Sequence, residues 1–218
     1  MTAEDIKRIA AAQGKKAWEA GPKHEAVLRA LAVGRGNEPG QFLAEGLWLN
    51  GQAVEYSADM AALFVCPELI YSEEWAGAVG RMVAHSEETF LISEKVCERL
   101  GDEKGDRGAL SILQLPRWRL EDIPERQSGT ILVLDGLENP GNVGTLIRTA
   151  EGAGADAVLL CNRRTGLNNR MVVRSSLLTL LTLPVLEVEA GECMDFLADR
   201  GYTVYLGKAE SAVRYCDT

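Results

Sequence analysis

From Thr130 onward, four near-continuous apolar runs, TILVLD, DAVLL, TLPVLEV and YTVYLG, alternate with segments of helical period. A strand that is apolar along its whole length must be covered on both faces, and strands separated by helices run parallel. The alternation therefore predicts a parallel sheet between two helical layers. The predicted helices are Asn142–Ala153, a segment around Met171–Leu178, and GECMDFLADR. Open sheets of this kind build their binding crevices where the strands end at their carboxyl side.

The first half of the chain has a different grain. Residues 2 to about 33 are predicted helical: Thr2 and Asp5 stand at capping-box spacing, and Val27, Leu28 and Leu31 recur at helical intervals after Pro22. Beyond the polar loop VGRGNEPGQ come short alternating elements: QFLA extended, GLWLNGQAVEYSA helical, ALFV extended, SEEWAGAVGRMVAHS helical and TFLI extended. A short helix capped by Ser93 and the strand GALSILQL close a small α/β unit. PRWRLEDIPERQSG has two prolines and no apolar period, and is expected to be a linker. The predicted division is residues 1–115, a linker over 116–129, and a second unit over 130–218.

The N-terminus is charged and lacks the apolar segment of a signal peptide, and no apolar run approaches the ~20 residues of a membrane span. Five scattered cysteines without a C-x-x-C pair point to reduced thiols in a cytoplasmic protein. With only His24 and His85, no histidine-rich metal centre is expected, and a Ser-His-Asp triad finds little support. A net charge of −9 argues against a protein that coats nucleic acid indiscriminately. It leaves room for a local basic surface. Arg148, Arg163, Arg164, Arg170 and Arg174 lie between Thr145 and Ser175, against Glu151 and Asp156 alone. Arginine suits forked contacts with phosphate, although scattered solvated charges would read the same way.

The stretch LDGLENPGNVGTLIRTAEGAGADAVLL, Leu134 to Leu160, holds a proline, glycines and asparagines between a strand and a helix. Val143, Leu146, Ile147 and Ala150 form the predicted buried stripe, with Asn142 placed at the N-cap. Arg148 falls on the polar stripe with Thr145 and Glu151. As a plain connection, the turn needs no ligand, and Arg148 would pair with Glu151. As a dinucleotide site it fails on spacing, because Gly136, Gly141 and Gly144 do not form G-x-G-x-x-G.

The same stretch resembles the first signature motif of the SpoU (TrmH) family of RNA 2′-O-ribose methyltransferases, within the trefoil-knotted SPOUT superfamily. NRMVVRSSLLTLLTLPV resembles the segment that follows in that family. GRGNEPGQFLAEG and FLISEKVCERLGDEKGDRGALSILQLP are similar to its small ribosomal-protein-like α/β substrate-binding domain. The resemblance implies S-adenosylmethionine as methyl donor, tRNA or rRNA as substrate, and a homodimer. It implies active-site roles for Asn142 and Arg148, RNA contacts from Arg35, Arg163, Arg164, Arg170 and Arg174, and a donor-side border at Leu206 and Gly207. Two further motifs, a G-S-E-x-x-G turn and an S-L-N-V-S-x-A helix, are expected beyond Thr218. The knot, and most of the donor pocket, would then be incomplete here. This is the expectation for a piece of a longer chain, or for a member that has lost catalysis. A non-catalytic RNA-binding module and a small-molecule α/β enzyme using the same crevice are the competing readings.

Overall fold

The computed structural model describes residues 1–101, 107–126 and 128–207. Its first half is a five-stranded mixed sheet in the order β1-β4-β3-β5-β2, made of β1 (Ala17–Glu19), β2 (Gln41–Glu45), β3 (Met60–Val65), β4 (Glu88–Leu91) and β5 (Ala109–Gln114). β3 is buried along its whole length, so its neighbours must cover both faces. On one face α1 (Ala3–Ala12), α3 (Leu47–Glu55) and α4 (Glu73–His85) pack over Phe42, Leu63, Val65 and Leu113. On the other, α2 (Glu25–Gly34) and α5 (Glu94–Leu100) pack over Leu43, Phe64, Phe90 and Ile112.

The Thr2–Asp5 capping box forms, with the Asp5 carboxylate accepting from the Thr2 backbone and the Thr2 hydroxyl accepting from the Asp5 backbone. The helical expectation for residues 2 to 33 is corrected in its middle. Gly14, at φ +70°, turns the chain, and Ala17–Glu19 then pairs in parallel with Thr89–Leu91 as an edge strand. Pairing across the sheet, which local period does not register, decides that segment.

The second half carries the parallel sheet β6-β7-β8, from β6 (Ile131–Asp135), β7 (Ala157–Cys161) and β8 (Val185–Glu187). α6 (Pro140–Gly152) and α7 (Arg170–Ser176) cover the face that presents Val158 and Leu160. α8 (Ala190–Asp199) covers the face that presents Ala157, Leu159 and Cys161. Two helices on one face followed by a third on the other is the signature of right-handed crossovers reversing direction. After α8 the chain returns to the start of β6, where the Tyr202 hydroxyl lies close to Gly129. The strand expected from YTVYLG does not form there. Residues 203–207 are exposed and make no ladder with β6, since alternation supplies a strand only when an edge accepts its backbone.

The expected linker is a packed strap. Trp118, Leu120 and Ile123 lie against α8 and β7, with Ile123 only 1% exposed. The Ile123 carbonyl accepts from Arg200, and Arg126 pairs with the buried Asp156 at 3.1 Å. Three apolar residues at irregular spacing leave no periodic signal, yet each fills its own site. The four described cysteines are buried thiols; Cys216 lies outside the described residues. Burial, with Cys193 beside it, pushes the Cys161 thiol up to about 12.

Candidate functional site

β6 ends at Asp135, and Gly136 then turns at φ +61°, its N–H donating to the Cys161 carbonyl of β7. β7 ends one residue before Asn162, itself at φ +47°, a conformation asparagine tolerates better than most residues. The Asn162 amide donates to the Asp135 carboxylate at 2.7 Å, bridging the carboxyl ends of the two strands. This pair was not singled out in the sequence. The signal for it was a polar residue closing each of two apolar strands.

Asn139, not Asn142, is the N-cap of α6. Its side chain accepts from Gly141 N at 2.9 Å and Asn142 N at 3.2 Å, with Pro140 at the first helical position. Proline has no N–H to lose and its fixed φ suits the first turn, so the cap falls one residue before it. Val143 N donates to the Asn139 carbonyl at 3.1 Å. The N–H groups at the start of α6 are thus already satisfied, and the turn cannot serve as a phosphate cradle of the kind that bare helix starts provide.

The glycines have equally local causes. Gly136 carries the positive φ, and a Cβ at Gly141 would stand 3.2 Å from the capping oxygen of Asn139. A Cβ at Gly144 would meet the Val172 carbonyl oxygen at 2.4 Å and Ser176 N at 2.9 Å on α7. The glycines thus answer a positive φ, capping and close helix packing. What the site offers a ligand is its side chains.

Asn142 and Arg148 are both exposed on the polar stripe of α6 with Thr145 and Thr149. The two threonine hydroxyls donate back to Gly141 O and Thr145 O, each at 2.8 Å. Among the described residues Arg148 makes no ion pair, so the expected Arg148–Glu151 pair is absent. Six residues along a helix separate Asn142 from Arg148 by roughly 9 Å of rise and about 120° of rotation, so only the length of the arginine side chain can span the interval.

Removing the Asn142 side chain leaves the helix cap intact, so Asn142→Ala is expected to change stability by under about 0.5 kcal/mol. Asn139→Ala is expected to cost about 1 kcal/mol. Urea midpoints for the two variants check the assignment; equal losses would return the cap to Asn142.

The arginines divide. Arg170 is not free to meet RNA as expected. Its guanidinium donates to Gly34 O at 2.8 Å, Glu45 Oε1 at 2.7 Å and Leu100 O at 2.6 Å, which ties α7 to the first sheet. Its fork fills a space that a Cβ at Gly34 would occupy. A planar group with several donors suits two carbonyls and a carboxylate at once, where a lysine would not. Arg170→Ala is accordingly expected to cost roughly 2–4 kcal/mol by leaving Glu45 and two carbonyls unmatched. A drop in the urea midpoint at unchanged slope would show it, and Arg170→Lys should recover less than half.

Arg163 pairs with Glu187 at 3.1 Å, at the end of β8. Arg164 is exposed without an ion pair among the described residues, and Arg174 is exposed on α7. Asn168 donates to Gly36 O at 3.3 Å, which brings the exposed Arg35 beside the 163–170 loop although the two are far apart in sequence. α7 ends in two consecutive left-handed leucines, Leu177 at φ 52° and Leu178 at φ 65°. Full burial of Leu178 holds a conformation that bulky residues rarely adopt. Leu206 is 88% exposed, and Gly207 has open space around it among the described residues.

Residues 129–218 match the SpoU rRNA methylase family. A stretch of 89 residues is 35% identical to a protein of Staphylococcus haemolyticus assigned to the TrmH family of tRNA/rRNA methyltransferases; it covers 40% of this chain and 36% of that protein. A Staphylococcus aureus relative assigned to the same family is 36% identical over 87 residues, 39% of this chain and 35% of its own. The chain thus spans just over a third of the length of the curated relatives it matches.

Among solved structures, an AdoMet-bound rRNA methyltransferase from Sinorhizobium meliloti superposes with a TM-score of 0.71 at 23% identity, over 84% of this chain and 69% of that one. The SpoU methyltransferase AviRb from Streptomyces viridochromogenes, in complex with AdoMet, gives 0.71 at 24% identity over 82% and 69%. An RNA 2′-O ribose methyltransferase gives 0.66 at 24% identity over 85% and 70%. At these identities the likeness establishes a shared fold, and it extends across both halves of the chain.

Proposed function

From the match of residues 129–218 to the SpoU rRNA methylase family, we propose that this chain holds the acceptor side of an S-adenosylmethionine-dependent RNA 2′-O-ribose methyltransferase. The observation that carries the reading is the pair Asn142 and Arg148, exposed and uncommitted on α6, which follows the carboxyl end of β6. Asp135 and Asn139 of the same turn are engaged in strand closure and capping, whereas Asn142 and Arg148 have no such task in the fold.

S-adenosylmethionine supplies a methyl group on a sulfonium that leaves as a neutral thioether. In this reading the described residues supply the acceptor side of that exchange, with the exposed Leu206 and Gly207 on the donor side. On the acceptor side Asn142 orients the ribose through its amide. Arg148 stays protonated and stabilises negative charge developing on the 2′-oxygen, or holds the adjoining phosphate. The hydroxyl proton passes to solvent, because a guanidinium is a poor base at neutral pH. Arg35 and Arg164 flank the crevice as backbone contacts, with tRNA or rRNA as the polymer and a second copy completing a homodimer.

The test is transfer of labelled methyl from S-adenosylmethionine to RNA by the protein carrying this chain, followed by alkaline hydrolysis. A 2′-O-methyl group blocks cleavage of the adjoining phosphodiester, so label in alkali-resistant dinucleotides supports the reading. Label in mononucleotides would move the chemistry to a base. RNA binding without transfer would favour a binding module.

A further inference from the structure

The first sheet carries an aromatic row that begins in the core and ends in solvent. Phe64 on β3, Phe90 on β4 and Trp18 on β1 occupy successive register positions and so share one face. Phe64 and Phe90 stack with centroids 5.4 Å apart and are buried, whereas Trp18 at the sheet edge is 50% exposed. α2 covers the buried end and stops short of the edge. Its N-cap His24 lies 5.4 Å from Phe90, leaving an open cleft of about 490 Å³ lined by Trp18, His24, Arg29, Phe90, Glu25 and Glu88.

Lys16 sits 5.2 Å over the Trp18 ring, and Lys23 and Arg29 stand on the same segment, while the Lys15 ammonium is held away from the cleft by the Val83, Ala84 and Ser86 carbonyls. Nothing in the capping, strand pairing or domain contact described above requires Trp18 to project here. Arg170 and the 163–170 loop meet the first unit elsewhere, at Gly34, Gly36, Glu45 and Leu100.

We propose that this cleft binds an unpaired nucleobase of RNA, a second contact separate from the α6 crevice. The inference rests on RNA as the polymer. A half-exposed indole with a flat aromatic floor is a stacking platform that accepts any base, and flanking cations follow the phosphates on either side. Glu25 and Glu88 at the rim accept hydrogen bonds from exocyclic amines, which adenine, cytosine and guanine present and uracil does not. The volume suits one base and its sugar rather than a duplex.

The probe is a fluorescein-labelled adenylate octamer, titrated into the chain with both anisotropy and tryptophan emission recorded. Binding should quench part of the emission. Trp18→Phe should keep affinity within about threefold while removing most of that quench, and Trp18→Ala should weaken binding about tenfold or more. Arg29→Ala should weaken it severalfold and flatten the salt dependence. Tyr71→Ala, which removes an 84% exposed aromatic elsewhere, should change nothing. Circular dichroism of each variant guards against misfolding. The proposal is overturned if wild-type chain does not bind the octamer, if Trp18→Ala binds within twofold of wild type, if Trp18→Phe is quenched as wild type is, or if Tyr71→Ala weakens binding equally. Methyl transfer is not read in this experiment. Its failure elsewhere would end the enzymatic reading and leave Trp18-dependent binding standing.

Discussion

Arg148→Ala is expected to lower methyl transfer by the protein at least 10²–10³-fold, the scale on which removing one charge-stabilising donor acts. It should leave the melting temperature nearly unchanged. Arg148 is exposed, holds no ion pair among the described residues, and stands on α6 away from Val143, Ile147 and Ala150, which are buried against the core. Substitutions at such positions usually fall within about ±0.5 kcal/mol. A large activity loss without a stability loss is the combination that separates a functional arginine from a solvated one. Arg148→Lys tests geometry: an ammonium keeps the charge but loses the planar fork, and should recover only a small part of the rate. If Arg148 only anchors the neighbouring phosphate, KM rises and kcat holds; if it stabilises the forming alkoxide, kcat falls. Turnover by Arg148→Ala at the wild-type rate would end its assignment to the site.

That exposure was legible because it follows from helical period alone, whereas the absence of the Glu151 pair did not follow from it. Val143, Ile147 and Ala150 mark the core stripe, and Arg148 falls outside it. β6, β7 and β8 were legible for a related reason, as apolar runs bounded by turn residues leave few alternatives. The features that escaped depend on partners remote in sequence. β1 exists because Thr89–Leu91 accepts it, and the strap over 118–123 is held by α8 and β7. Arg170 looks like its arginine neighbours until Gly34, Glu45 and Leu100 are placed around it.

The N-cap was misplaced for a local reason. Two asparagines flank Pro-Gly, and both fit the composition of a cap. Pro140 selects between them, since proline is comfortable in the first turn and Asn139 is the residue before it. The glycines each answer a separate steric demand of the fold: Gly136 a positive φ, Gly141 the capping oxygen and Gly144 the close approach of α7. Asn142 and Arg148 are left as side chains without a structural task.

Gly144→Ala is expected to destabilise the chain by about 1–3 kcal/mol, against the ordinary rule that alanine in a helix beats glycine by ~1 kcal/mol. The added methyl would lie 2.1 Å from Ser175 Oγ, 2.4 Å from the Val172 carbonyl oxygen and 2.9 Å from Ser176 N. The hydroxyl can rotate away, but the other two atoms are backbone of α7, so the helices must separate. Removing the hydroxyl should therefore fail to rescue: Ser175→Ala in the Gly144→Ala background leaves Val172 O in place. Gly152, at the far end of the same helix, has nothing within 4 Å of its would-be Cβ and is the matched control. Gly152→Ala should raise stability by up to about 1 kcal/mol. Opposite shifts of the urea midpoint at the two glycines would show that packing, not propensity, sets the residue at 144. The consequence reaches the site, because α7 is anchored to the first sheet through Arg170 while α6 carries Asn142 and Arg148. Parting the two helices should shift those side chains relative to Arg35 and the 163–170 loop, so methyl transfer by Gly144→Ala should fall further than its stability alone accounts for. A stabilising shift at Gly144 would mean that α6 and α7 do not make this close contact, and the rigid link between the two units would be lost with it.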